Sequence, residues 1–138
     1  MKLEFMTIQQ LHAKLVRVHS EYIRLRDADE WGMVTCPFCK RRRRWNDGIV
    51  NMHFKRRGCY ATKFHDVNCN AGCAECNARD DTKAYRVWMI EKYGESAVAL
   101  LDRQAKMVAS FDATYYRMKI SHYQKFIDAM KSKKENPF

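Results

Sequence analysis

Cys36-Pro37-Phe38-Cys39 and Cys73-Ala74-Glu75-Cys76 constrain this chain more than any other stretch. Each Cys-x-x-Cys pair presents two soft thiolates to one side of a tetrahedral metal, and two such pairs complete a four-sulfur zinc shell. The loop closed between Cys39 and Cys73 is long enough to fold into a unit of its own. A redox pair or buried thiols are the other uses of such cysteines. No apolar run reaches the ~20 residues of a bilayer span, and the N-terminus lacks the order of a secretory signal. The expectation is a cytoplasmic protein in a reducing compartment, where this spacing means metal rather than disulfide. Cys59 and Cys69 exceed a four-thiolate shell and are expected as small buried side chains, or as ligands of a second metal.

Charge narrows the partners. Lys and Arg outnumber Asp and Glu by 26 to 16, a net +10, in a chain of 138 residues that is 46% hydrophobic. That composition supports one modest core, and the excess positive charge suits an anionic partner, of which nucleic acid is the commonest. The cations cluster as Lys40-Arg41-Arg42-Arg43-Arg44, straight after the first Cys pair, and as Lys55-Arg56-Arg57. A run of like charge is ordinarily a solvated face, but one leaving a rigid metal knuckle beside a second cluster reads as a phosphate-binding surface for DNA. Trp45 and Tyr60 either stack on exposed bases or pack over the metal loop.

Periodicity sets the frame. Ile8, Leu11, Leu15, Val18, Tyr22 and Leu25 alternate steps of three and four, one stripe of an amphipathic helix that Thr7 would cap and that should end before Trp31-Gly32. Met6-Thr7 has the look of a natural beginning, with Met1 to Phe5 as extra residues. His12 and His19 lack partners at ligand spacing and are expected at the surface or its boundary. Ile49 to Phe54 has strand character, Gly58 gives a turn, and Ala61 to Val67 reads as a returning strand, followed by a helix starting near Asn77. From Thr82 the pattern is helical: Tyr85, Met89 and Tyr93 to a stop at Gly94, then Val98, Leu101, Ala105 and Val108, then Tyr116, Ile120, Tyr123, Ile127 and Met130 behind an Asp112 cap. The charged tail from Lys131 to Phe138 should fray. The expected fold is mainly α, an α+β chain with an N-terminal helix in residues 1–32, a zinc-stapled ββα module in 33–94, and C-terminal helices in 95–138 whose last stripe offers a dimer contact.

Strand, strand and helix between two Cys pairs resembles the HNH, or ββα-metal, nucleases. Their signature is a His on the first strand, an Asn on the second and a His or Asn at the helix start, positions that fall here on His53, Asn68 and Asn77. From about Cys36 to Leu101 the chain is more narrowly similar to the NinG/Rap recombination proteins of lambdoid phages. The likeness runs through Met52-His53-Phe54-Lys55-Arg56-Arg57-Gly58, Ala61-Thr62-Lys63-Phe64-His65-Asp66-Val67-Asn68, Cys73-x-x-Cys76-Asn77 and Tyr85-Arg86. The four-Cys, His and Asn layout is also similar to that of the phage junction resolvase endonuclease VII. The resemblance implies a phage-encoded endodeoxyribonuclease, dependent on Mg²⁺ or Mn²⁺, that acts on branched recombination intermediates such as Holliday junctions. Two positions depart from it: Met52 stands where many HNH enzymes carry a metal-binding Asp, and Asn70 where the NinG/Rap family has a His.

Phosphodiester hydrolysis needs a base for water, a divalent metal for the charge developing on phosphate, and a scaffold for both. His53 suits the base, with a buried hydrogen-bonded His or a zinc ligand as the alternative. Asn77 offers Mg²⁺ a hard carbonyl oxygen, or else caps the helix. Asp81, four residues on, is the first candidate for a second ligand, followed by His65 and Asp66, although Asp80 and Asp81 equally suit the first turn of a helix. Asn68 is expected to bond the opposite backbone and fix the loop carrying His53. Symmetric cuts in a junction call for a C₂ homodimer. Two other classes fit the same residues: a non-catalytic zinc-containing DNA-binding regulator, and a sequence-specific nicking or homing endonuclease.

Overall fold

The stripe of the first helix finds its partner at the far end of the chain. In the computed structural model, which describes residues 1–135, α1 (Ile8–Arg26) packs along α6 (Ala113–Glu135). Thr7 caps α1 in a reciprocal box: its hydroxyl accepts from the Gln10 amide while the Gln10 side chain accepts from the Thr7 N–H. Contacts advance together along both helices, from His12 with Tyr116, through His19 with Tyr123, to Lys134 donating to the Leu25 carbonyl, so the two run parallel. Leu11, Leu15, Val18 and Ile23 meet Tyr116, Ile120, Tyr123 and Ile127 in one buried cluster. This corrects the expected dimer contact, because a stripe buried within its own chain has no face left for a second copy. His19 is corrected too: it is 1% exposed, with Nε2 3.1 Å from the Asp66 carboxylate.

Between these helices lie two small antiparallel sheets. β1 (Met33–Thr35) pairs with β2 (Arg42–Arg44), and β3 (Ile49–His53) pairs with β4 (Cys69–Cys73), Ile49 opposite Cys73 and His53 opposite Cys69. Alternation gives the β3–β4 sheet two covered faces. Ile49, Cys69, Ala71 and Cys73 belong to the α1–α6 core, whereas Met52 joins Tyr85 and Met89 of α4 (Thr82–Tyr93) with Val98 and Leu101 of α5 (Glu95–Gln104). Asn70, buried on that second side, donates from Nδ2 to the Tyr85 oxygen at 3.1 Å and accepts from the Tyr93 hydroxyl at 2.8 Å. Gly72 leaves room for the sheet's own neighbour, since a Cβ there would lie 2.3 Å from Met52 Cε.

The returning strand differs most from expectation. It occupies Cys69–Cys73, not Ala61 to Val67, where the chain instead makes a helical turn, α2 (Tyr60–Lys63), and a 3₁₀ turn at Asp66–Asn68. Side-chain bonds to nearby backbone outcompete strand formation there. Thr62 Oγ1 donates to the Cys59 carbonyl, His65 Nδ1 accepts from the Val67 N–H, and Asn68 Nδ2 donates to the Thr62 carbonyl. Two helix boundaries are corrected as well. α5 ends at Gln104, leaving Val108 fully exposed, and α3 (Ala74–Arg79) starts three residues before Asn77 because Cys73 supplies its cap. Asp112 does cap α6, accepting from the Tyr115 N–H, and the expected frayed tail is helical through Glu135; residues 136–138 lie outside the described residues. Among the described residues, no helix is long and apolar enough to cross a membrane.

Ile127, fully buried in the α1–α6 seam, tests the intramolecular role of the stripe. Ile127→Ala should lower the unfolding free energy by ~2–5 kcal/mol and leave the mass in solution unchanged. A denaturation midpoint equal to wild type, or a shift to a smaller assembly, would contradict that role.

Candidate functional site

Cys36 and Cys39 sit in the turn that joins β1 to β2, closed by Lys40 at a φ of 63° with its amide donating to the Cys36 carbonyl. Cys73 ends β4 and caps α3, its sulfur accepting from the Cys76 amide at 3.4 Å, while the Cys73 amide donates to Cys36 Sγ at 3.4 Å. All four sulfurs lie within 4.8 Å of one another. A zinc tetrahedron with Zn–S near 2.3 Å has an edge of about 3.8 Å, so one ion fits. The electrostatics agree. Against the upward push of burial, amides of Cys73, Cys39 and Phe38 bring the Cys36 thiol down to about 7, whereas burial and neighbouring thiols push Cys73 up to about 12. One thiolate forms readily and opposes the next, a conflict that a divalent cation removes. Among the described residues, no other group of three or more His, Cys, Asp or Glu is placed to hold a metal. Cys69 stands apart, buried and pushed up to about 12, and Cys59 is half-buried.

Chain continuity carries the quartet's order to the neighbouring cavity. Asn77 directly follows Cys76 on α3 and lines a cavity of about 110 Å³ with His53, at the end of β3, and Asp81. His53 Nε2 lies 3.0 Å from the Lys63 carbonyl. A carbonyl only accepts, so Nε2 carries the proton, and Nδ1 keeps its lone pair, buried and without a protein partner. Burial, then the Arg57 charge, lower the ring's pKa to about 4, so the imidazole is neutral near pH 7.

Asn68, fully buried, acts as a clamp. Its Oδ1 accepts from the Lys55 amide at 2.7 Å, and its Nδ2 donates to the carbonyls of Lys55 and Thr62 at 3.2 and 3.1 Å, tying down the loop that leaves His53. Asn77 and Asp81 share the cavity but not a helix: Asp80, at a φ of 50°, ends α3, and Asp81 caps α4 through the Ala84 amide at 3.0 Å. His65 and Asp66 do not join them at the cavity. The His65 ring caps the 3₁₀ turn, and Asp66 is held by His19 and by the Tyr123 hydroxyl at 2.8 Å. Met52 is 1% exposed, its side chain offers no oxygen, and its carbonyl accepts from the Tyr85 hydroxyl at 2.9 Å.

The expected DNA-binding cations divide. Arg42 pairs with Asp29, Arg43 with Glu75 and Lys55 with Asp102, while Lys40 Nζ donates to the Pro37 carbonyl and Arg57 reaches the Asn51 carbonyl. Arg41, Arg44 and Arg56 have no ion-pair partner among the described residues. Three cations outside the sequence clusters, Lys83, Arg86 and Lys106, line a larger cleft of about 500 Å³ beside His53 with Lys55 and Arg56. Lys83 and Arg86 share a face of α4 through their spacing of three, a signal present in the sequence but too common to single them out.

A cysteine knuckle beside a two-stranded sheet and a short helix, with further helices on both sheet faces, defines an α+β protein with a candidate zinc site. Residues 2–135 match the family described as Bacteriophage Lambda NinG protein, and the chain belongs to that family, one of the phage recombination region. No curated protein and no solved structure matches it significantly.

Two measurements check this geometry. Purified protein should carry about one zinc per chain by elemental analysis, and Cys76→Ser should lose both the metal and the cooperative thermal transition. Zinc-free protein with an unaltered transition would remove the quartet from the fold's support. Burial also holds His12, His19 and His53 below their ordinary pKa. The unfolded chain protonates these rings as pH falls through about 6.5 while the folded chain resists, so stability should be full above that value and decline towards pH 4, read as a falling Tm.

Proposed function

We propose that this chain is an HNH-type endodeoxyribonuclease of branched recombination intermediates, with His53 as general base. One observation carries it: the His53 ring is neutral, its tautomer is set by the Lys63 carbonyl, and its bare Nδ1 sits in a residue lining the cavity shared with Asn77. Nδ1 takes the proton from a water whose oxygen attacks phosphorus. The Nε2–H bond to the Lys63 carbonyl strengthens as the ring becomes cationic, and the departing oxygen is protonated from solvent. Asn68 acts indirectly, by holding the loop whose Lys63 carbonyl orients the ring.

The donor set suits Mg²⁺ or Mn²⁺, which keep most of their waters: the Asn77 amide oxygen with Asp80 and Asp81 lining the same cavity. Such an ion supplies neutralisation of the charge that develops on phosphate. Branched DNA as substrate is supported by the family's place in the phage recombination region. Paired cuts require two copies, joined elsewhere than through the α6 stripe.

His53→Ala should abolish Mg²⁺-dependent cleavage of a four-way junction while leaving binding to it within a few-fold. The pH–rate profile should hold on the acid side until pH nears about 4, because only below that is the base protonated. Undiminished turnover in the variant would remove His53 from the chemistry. Wild-type protein that binds the junction but leaves it uncut with either metal would instead indicate a DNA-binding regulator. Junction, fork and linear duplex of matched sequence separate branch recognition from general or sequence-specific nicking.

A further inference from the structure

Apart from His53 and Asp80, the residues of the larger cleft beside His53 take no part in the chemistry above. It lies between the loop after β3 and the α4–α5 pair, and it shares His53, Phe54, Asp80 and Thr82 with the smaller cavity, so the two are contiguous. Five cations line it against Asp80 and Asp102. Asp102 is already committed. Arg86 donates to it from both terminal nitrogens, at 3.0 and 2.9 Å, Lys55 pairs with it, and the two cations hold its carboxyl far below the usual carboxylate range. The Phe54 ring lies beneath both, 5.1 Å from the Arg86 guanidinium and 5.2 Å from the Lys55 amine. Asp102 therefore fastens α4, α5 and the loop to one another, and the cleft's remaining positive charge is left to Arg56, Lys83 and Lys106. These three are exposed and have no ion-pair partner among the described residues.

We infer that this cleft holds the phosphate backbone of the DNA strand next to the scissile phosphate, with Lys83, Lys106 and Arg56 as the neutralising contacts. Exposed cations without carboxylate partners, in a cleft contiguous with the cavity lined by His53 and Asn77, suit a chain of regularly spaced anions. The knuckle run also keeps cations free of ion pairs, but none of Lys40 to Arg44 lines the cleft or the cavity that holds His53. Where the strand leads rests on the nuclease reading; that it binds here does not.

Binding of a fluorescein-labelled four-way junction to the zinc-loaded protein, followed by anisotropy across a salt series with no Mg²⁺ or Mn²⁺ added, reads the inference without cleavage. The double variant Lys83→Glu with Lys106→Glu should weaken binding at least about tenfold and flatten the slope of log K against log salt by about 2. A control with the same change of net charge, Lys125→Glu with Lys133→Glu on α6, should bind as wild type. Equal losses in both pairs would reduce the effect to net charge and overturn the cleft, as would no loss in the first. Wild-type protein that binds but does not cut would defeat the nuclease reading alone, since a loss confined to the Lys83 and Lys106 pair would still support the cleft.

Discussion

The convergence of Cys36, Cys39, Cys73 and Cys76 on one point is the constraint on which the rest of the architecture depends. A two-stranded ribbon is marginal in water. Here β3–β4 is held at one end because Cys73, paired with Ile49, is itself a member of the quartet. The other end, where His53 faces Cys69, is held by the Asn68 clamp on the loop beyond it. The quartet also sets where α3 begins, and so where Asn77 points relative to the strand. His53 and Asn77 thus reach one cavity from the strand and from the helix that the quartet ties to it.

The sheet's two covered faces divide the labour between them. One is sealed by the α1–α6 core, and the other by α4 and α5 through Met52, Tyr85 and Met89. Buried polar groups on the second side are satisfied rather than avoided, as Asn70 shows with two tyrosine hydroxyls. A satisfied buried network tolerates few alternative arrangements, which is what a site needing fixed geometry demands.

What could be read from the sequence was local. The Cys pairs, the Thr7 cap, the Gly94 stop and the α1 stripe each state their structure within a few residues. The returning strand did not, since Cys69-Asn70-Ala71-Gly72-Cys73 has little intrinsic strand character and is paired because β3 lies beside it. Asp80 breaks the helix through a backbone angle that most residues avoid, and nothing adjacent announces it. The α6 stripe declared that something covers it without saying what. The basic clusters were visible as sequence, but which cations are spent depends on Asp29, Glu75 and Asp102, all distant in the chain. That is also why Lys83 and Lys106 emerge only once the cleft is assembled.

The parallel pairing of α1 with α6 has a bearing on how the protein is made. A ribosome releases α1 well before α6, with the whole metal-bearing segment between them, a delay on the order of ten seconds at ordinary elongation rates. Through that interval the apolar face of α1 is without its cover, and the contacts that close the core join opposite ends of the chain, the slowest kind to form. The knuckle can gather its cysteines well before then, because they span a shorter stretch. Assembly is thus ordered in time, with the metal segment shaped early and the body locked only when α6 is free, so a chain terminated before α6 carries the site's residues without the core that positions them.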